Sequence, residues 1–266
     1  MILIPLQKIS NAILKRQQKN RTINAAVLFL HYYRSKYKNS FEKIKSYVDK
    51  IDKCNATYFK IDNYFENKTL YKSDDNTYEI GGDNSEREFS GWQKGLEALR
   101  STNTPYDVIV FINEAFTLYG KSILDREDVR SIIENSINTN SVVGRFDNGK
   151  EKFTLSGSDV SEWICTNCFI IPREIMDKIK NIVSVKKENL NIFFDDNKLE
   201  FKENAPMSES FKKHITEWLT IDWHSKIEIN DATWDLFKNK TLAILNEALF
   251  TAKLKESGIK IMAIKN

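Results

Sequence analysis

Tyr106-Asp-Val-Ile-Val-Phe-Ile-Asn-Glu-Ala-Phe-Thr-Leu-Tyr-Gly120 decides the fold. Val108 to Ile112 are apolar without a break, and then the chain turns abruptly polar at Asn113-Glu114. A run of that length with no polar alternation reads as a strand buried on both faces, the usual state in a parallel sheet. In open α/β sheets, ligands bind outside the carboxyl ends of the strands. A carboxylate at this strand end is therefore a candidate site residue.

Outward from that strand, strand-like and helix-like patterns alternate. Ala25-Ala-Val-Leu-Phe-Leu30 predicts a first strand running into His31-Tyr32-Tyr33. Phe41, Ile44, Tyr47, Val48 and Ile51 at i, i+3, i+4 spacing predict a helix over 39–51. Ala56-Thr-Tyr-Phe-Lys-Ile61 predicts a second strand ending in Asp62-Asn63, 64–77 reads as turn-rich, and Tyr78-Glu-Ile80 as a short third strand. A helix over 86–100 precedes the key strand. Beyond it come a helix over 123–138, strands at 141–146 and 163–171, and a helix from Pro172 to Ile182. Leu190 to Phe201 around Asp195-Asp196-Asn197 predicts a small β-hairpin, followed by helices over 207–219 and 240–257 and a last strand at 259–264. Gly258 suits the C′ position of the long helix. The fold class is α/β, with a mainly parallel central sheet flanked by helices.

The chain has 266 residues, enough to bury roughly 70–75% of its unfolded surface without staples. Its 40 basic and 37 acidic residues leave a formal charge of +3, too balanced for a nucleic-acid binder. The three cysteines, Cys54, Cys165 and Cys168, follow no secretory signal pattern and fit a reducing cytosol. No apolar run approaches the ~20 residues of a membrane span. Residues 1–22 form a basic amphipathic segment, with Leu6, Ile9 and Ile13 on one side and Lys8, Lys15, Arg16 and Lys19 among them. Such a segment either packs on its own domain or lies on an anionic membrane surface. Residues 23–266 form one domain.

Several residues carry chemistry. Arg87 falls in the first turn of the 86–100 helix, where the macrodipole disfavours a cation unless an anion meets it. Asn84 or Ser85 suits the helix cap, with Glu88 after it. Cys165-Thr-Asn-Cys168 has metal-knuckle spacing, but a structural zinc needs four ligands, and His31, His214 and His224 offer no partner spacing. Trp163, Trp223 and His224 read as core residues or as the border of an acceptor groove. Glu247 lies between Leu245 and Leu249, so a partly buried carboxylate there suits a general base.

Together, Asn84-Ser-Glu-Arg-Glu-Phe-Ser-Gly-Trp92, the strand ending in Asn113-Glu114, and Asn246-Glu247 before Gly258-Ile-Lys-Ile261 resemble bacterial glycosyltransferases of the GT-A fold that build O-antigen, capsule or other surface polysaccharides. The resemblance spans about residues 25–264. It implies a single Rossmann-like GT-A domain moving a sugar from a nucleotide-diphosphate sugar to a glycan or lipid-linked acceptor. It implies that Asp62, Asn84, Arg87, Asn113 and Glu114 bind the donor and that Glu247 is the base of an inverting reaction. Asn113-Glu114-Ala115 stands where the family carries Asp-x-Asp, so Glu114 is the one acid left to hold Mn²⁺ or Mg²⁺, and metal-independent transfer stays open. The implied setting is cytoplasmic, with peripheral contact at the inner face of the membrane. A catalytically inactive GT-A-like module that binds glycans or assembles with partner enzymes is the alternative that this departure motivates. A nucleotidyltransferase would carry a Gly-rich phosphate loop after the first strand, and His31-Tyr32-Tyr33 is not one.

Overall fold

The computed structural model describes residues 21–33, 36–65, 69–117, 123–149, 151–223 and 225–264. The basic amphipathic segment, apart from Arg21 and Thr22, lies outside them, as does His224.

An eight-stranded sheet organises the chain. Its strands are β1 (Ile23–His31), β2 (Cys54–Asp62), β3 (Tyr71–Asp74), β4 (Thr77–Gly81), β5 (Val108–Asn113), β6 (Ser141–Asn148), β9 (Glu162–Pro172) and β12 (Lys260–Ala263), in spatial order β12-β6-β9-β5-β1-β2-β4-β3. The intervening β7 (Thr154–Leu155) with β8 (Ser158–Asp159), and β10 (Phe194–Asp195) with β11 (Glu200–Phe201), form two small antiparallel pairs. The pairings β1/β2, β1/β5, β2/β4 and β6/β12 are parallel; β9 runs against both β5 and β6, and β3 against β4. β3 falls in the stretch expected to be turn. All four of its residues are exposed, so it carries no apolar alternation to betray it.

The central strands bury both faces, and their side chains alternate between two cores. Ala26, Leu28 and Leu30 of β1 and Ile109 and Phe111 of β5 meet Trp92, Leu96 and Leu99 of helix α2 (Glu88–Ser101), together with Phe250 and Leu254 of helix α6 (Trp234–Glu256). Ala25, Val27 and Phe29 of β1 and Val108, Val110 and Ile112 of β5 meet Ile44 and Val48 of α1 (Ser40–Val48) and Val129 and Ile133 of α3 (Val129–Thr139). The continuous apolar run thus serves two helical layers at once. Met176 of α4 (Arg173–Ile179) completes the first layer.

A third cluster joins Phe153, Leu155, Phe194, Phe211 and Ile215 of α5 (Glu209–Glu217) to Leu242, Leu245 and Ala248 of α6. Helix α6 therefore belongs to two cores. It ends as its sequence predicts: Gly258 takes φ +69°, Ile259 N–H donates to Leu254 O at 3.0 Å and Gly258 N–H to Lys255 O at 2.9 Å. That is the Schellman pattern, and a residue with Cβ would resist the left-handed turn. Among the described residues, no helix is long and apolar enough to cross a membrane.

Candidate functional site

The chain runs from β1 to β2 and β4 on one side and then crosses through α2 to β5 on the other. The strand order reverses between β1 and β5, and in such sheets that reversal opens a crevice at the carboxyl ends. The residues there are His31-Tyr32-Tyr33, Asp62-Asn63 and Asn113-Glu114, with register partners His31↔Asp62 and Leu30↔Asn113.

Glu114 is 4% exposed. Its Oε1 accepts the backbone N–H of Tyr32 at 3.0 Å and that of Tyr33. Its Oε2 lies 2.9 Å from His31 Nδ1, off the line a ring N–H hydrogen bond needs, so the contact is ionic when the ring is protonated. The carboxylate thus fastens the turn after β1 to the end of β5. A resident divalent cation fits poorly: hard cations take several carboxylate or carbonyl oxygens, and here one oxygen is engaged by amides while the other faces a single imidazole. Among the described residues, no three His, Cys, Asp or Glu side chains cluster as metal ligands. Neither Cys165 nor Cys168 is in a disulfide, and both are buried. The Cys165 thiol donates to Asp147 Oδ2 at 2.9 Å and lies 3.3 Å from Arg145 Nε, and burial pushes its proton affinity far up.

Asn63 is 3% exposed and organises the next loop. Its Nδ2 donates to Asn84 Oδ1 and to Arg87 O, both at 2.9 Å, and its Oδ1 accepts Asn84 N–H at 3.0 Å. Neither Asn84 nor Ser85 caps α2. The helix begins at Glu88, and Arg87 stands before it with no side-chain cap. The physical reason is that Asn63 and Ser90 Oγ hold the Arg87 carbonyl, forcing Arg87 to φ 57°, ψ −131°. A non-glycine residue there is strained, and such strain concentrates at ligand sites. Two glycines admit Asn63: a Cβ on Gly82 would collide with its Oδ1 and stand 2.9 Å from its Cα, and one on Gly91 would stand 3.0 Å from Oδ1.

β9 supplies the third wall. Its register against β6 steps from Gly144↔Phe169 to Phe146↔Ile164, so Cys165 to Cys168 bulge from the ladder. Bulges of this kind re-aim side chains beside active sites. Here Thr166 O accepts Asn113 Nδ2 at 3.4 Å while Thr166 N–H donates to Glu247 Oε1 at 2.8 Å. Asn113 Oδ1 in turn accepts Ala115 N–H. One bulge therefore ties the end of β5 to the middle of α6. Burial pushes the Glu247 carboxyl up to about 8, Glu88 and Asp147 add repulsion, and the Thr166 amide opposes the rise. Its neighbour Asn246 is fully buried and structural, holding Ser184, Val185 and Leu242 by hydrogen bonds.

The first turns of α2 and α6 meet on the same side. Arg87 Nε donates to Asn239 O at 3.4 Å, and Lys240 Nζ lies 4.8 Å from the centre of the Trp223 ring. Lys240 precedes Glu247 by two helical turns, roughly 10.5 Å on one face. The structure thus brings Asp62, Asn84, Arg87, Asn113, Glu114 and Glu247 to one rim. Trp223 borders it through Lys240. Trp163 instead packs on His214, ring centres 5.6 Å apart, at the edge of the third cluster. Asp62 Oδ1 accepts Tyr64 N–H at 3.1 Å. Two further arginines stand elsewhere: Arg145 engages Asp147 and Cys165. Arg173 is at the opposite end of the sheet, its N–H on Asp107 O before β5. Sequence reading assigned no role to Asn63, Thr166, Lys240 and the aromatics Tyr32, Tyr33 and Tyr64; of these, only the two-turn spacing of Lys240 and Glu247 was visible in the chain.

An open groove of about 930 Å³ between 195–204 and 209–216 contains none of these residues. Its buried Lys212 ammonium is satisfied by Lys202 O, Glu203 O and Glu209. No family model, curated relative or solved structure matches the chain.

Proposed function

We propose that this chain is a glycosyltransferase of the GT-A type, moving a sugar from a nucleotide-diphosphate sugar to a hydroxyl of a glycan or lipid-linked acceptor with inversion. One observation carries the reading: a part-buried carboxyl of raised proton affinity, Glu247, and a strained arginine, Arg87, share the rim outside β1 and β5. The mostly parallel sheet flanked by helices agrees with the resemblance, and no other part of the described chain assembles a base and cations at a strand-end crevice.

The acceptor oxygen attacks the anomeric carbon and forms the new C–O bond. Its proton passes to the Glu247 carboxylate. The bond between the anomeric carbon and the diphosphate breaks, and its electron pair leaves on the phosphate oxygen, where cations stabilise it. A carboxylate this basic is a better proton acceptor than an ordinary one, at the cost of being mostly protonated at neutral pH. Asp62 and the ring pair Tyr32–Tyr64, 5.8 Å apart beside it, suit a ribose and a nucleobase. Trp223 and His224 are assigned to the acceptor side. No step is assigned to a metal. The basic segment over 1–22 would hold the enzyme at the cytoplasmic face of a membrane.

Calorimetry with nucleoside diphosphates, with and without Mn²⁺, tests the reading. Binding of at least one is expected; no binding in either condition refutes it. Donor hydrolysis lost in Glu247→Gln and retained in Lys178→Met excludes an inactive module.

A further inference from the structure

Arg87 and Lys240 come from separate parts of the chain yet meet where Arg87 Nε donates to Asn239 O, one residue before Lys240, and Lys36 acts on Lys240 through its charge. The Lys240 ammonium is opposed by Arg87 and Lys36 as like charges, and Tyr33 feels Arg87 and Lys36 together. Among the described residues, none of the three has a carboxylate within ion-pair distance: Arg87 reaches a backbone carbonyl, Lys240 lies over Trp223 and Lys36 lies 5.3 Å from the Tyr37 ring centre. Glu88 is the acid near them, and it acts on Lys240, Tyr33 and Glu247 alike. Lys240 is part-buried, so its charge is held out of water, and burial lowers its proton affinity. Three cations with no ion-pair partner among the described residues thus stand beside Glu88, at a rim whose other acids, Asp62, Glu114 and Glu247, accept backbone N–H groups. The strained conformation of Arg87 places the guanidinium against α6 beside that lysine.

We infer that Lys240, with Arg87 and Lys36, forms the subsite for the donor's diphosphate, so that the leaving group is bound and stabilised by side-chain cations rather than by a divalent metal. This rests on the proposed glycosyl transfer and adds to it. The poor donor set at Glu114 agrees: one carboxylate oxygen holds two amides, and among the described residues no further His, Cys, Asp or Glu pair joins it as a metal-ligand cluster. Lysine serves phosphate as a point charge and arginine as a planar fork, so the pair covers both phosphoryl groups. Lys240 lies two turns from Glu247, so both project from one face of the helix toward the same rim.

The test is calorimetry of the full chain with inorganic pyrophosphate in EDTA, repeated with Mn²⁺. Binding in EDTA is expected, weakened about tenfold to a hundredfold in Lys240→Met, restored to within about threefold in Lys240→Arg, and unchanged in Lys178→Met, with melting temperatures confirming that all fold. Binding that needs Mn²⁺, or equal affinity in wild type and Lys240→Met, overturns the inference. UDP, GDP, ADP and CDP separate it from the broader reading. Nucleoside diphosphates that bind equally well to Lys240→Met sink the subsite and leave the transferase standing. Lys240-dependent pyrophosphate binding with no gain from any nucleoside sinks the nucleotide donor and leaves the anion site standing. Geranyl diphosphate binding more tightly than every nucleoside diphosphate would move the subsite from donor to acceptor and overturn the assignment.

Discussion

At the scale of single residues, two side chains separate chemistry from architecture. Glu247 is the chemical one. Because the base must be ionised to act, kcat/KM should rise with pH and level off above about 8, the value to which burial pushes this carboxyl. A plateau reached by pH 6 would show that Glu247 is not the group observed. Stability runs the other way. The folded carboxyl holds a proton that the unfolded chain, near 4.5, has already released, so stability falls as pH rises from about 4.5 to about 8. Glu247→Gln keeps an oxygen for the Thr166 amide and cannot ionise in either state. It should flatten that slope and stabilise the protein at pH 8 by about 2 kcal/mol, discounted for partial solvent access, while reducing turnover about a hundredfold or more. Chemical denaturation across pH reads the first effect and donor consumption the second. Asn63 is the architectural residue. Asn63→Ala leaves Asn84 without its partner and Arg87 O with Ser90 Oγ alone, at a cost of about 1–3 kcal/mol. It should also raise the KM for donor, because Arg87 is no longer held in its strained conformation; an unchanged KM would make the strain irrelevant to binding.

At the scale of elements, the legible and the illegible part company for physical reasons. Val108 to Ile112 announced a strand buried on two faces because both faces select the same residue type. The Gly258 cap was legible because only the backbone is involved. β3 was not, since an exposed edge strand needs no apolar pattern. The start of α2 was misplaced because Asn63, twenty-four residues before Arg87, sets it through a tertiary hydrogen bond. The β9 bulge was invisible for the same reason: Trp163 to Ile171 reads as one unbroken strand, and only the register against β6 exposes Cys165 to Cys168. The candidate site was half legible. Residues at strand ends were placed by pattern, whereas Thr166 and Lys240 come from elements whose packing brings them in. Gly82→Ala tests how an element carries the site. Its new Cβ meets the Asn63 side chain and Cα, and the Cα belongs to the backbone and cannot rotate away. The 82–87 loop should shift, lowering the melting temperature by several degrees and weakening nucleoside diphosphate binding in parallel. A loss of stability with donor affinity intact would show that the loop does not position Arg87.

At the scale of the molecule, α6 spans two cores. Phe250 and Leu254 pack with the sheet, while Leu242, Leu245 and Ala248 pack in the third cluster. The rim residues divide the same way: Glu114 and Asn63 stand on the sheet, Arg87 opens α2, and Lys240 and Glu247 ride on α6. A diphosphate held between Arg87 and Lys240 therefore bridges the sheet and the helix shared with the third cluster. Such a ligand binds the native state alone, so at a hundred times its Kd it adds about 2.7 kcal/mol. For a chain of this size that is a rise of about 5–10 °C in melting temperature. Hydrogen exchange locates the effect. A bound nucleoside diphosphate should slow exchange at the amides of Tyr32 and Tyr33, at Glu88 and at Thr166, and also in the first turns of α6, because closing the rim restrains the helix that both cores share. Protection confined to 195–216 would place the ligand in the open groove of the third cluster, away from Glu247, and would remove the base from the reaction.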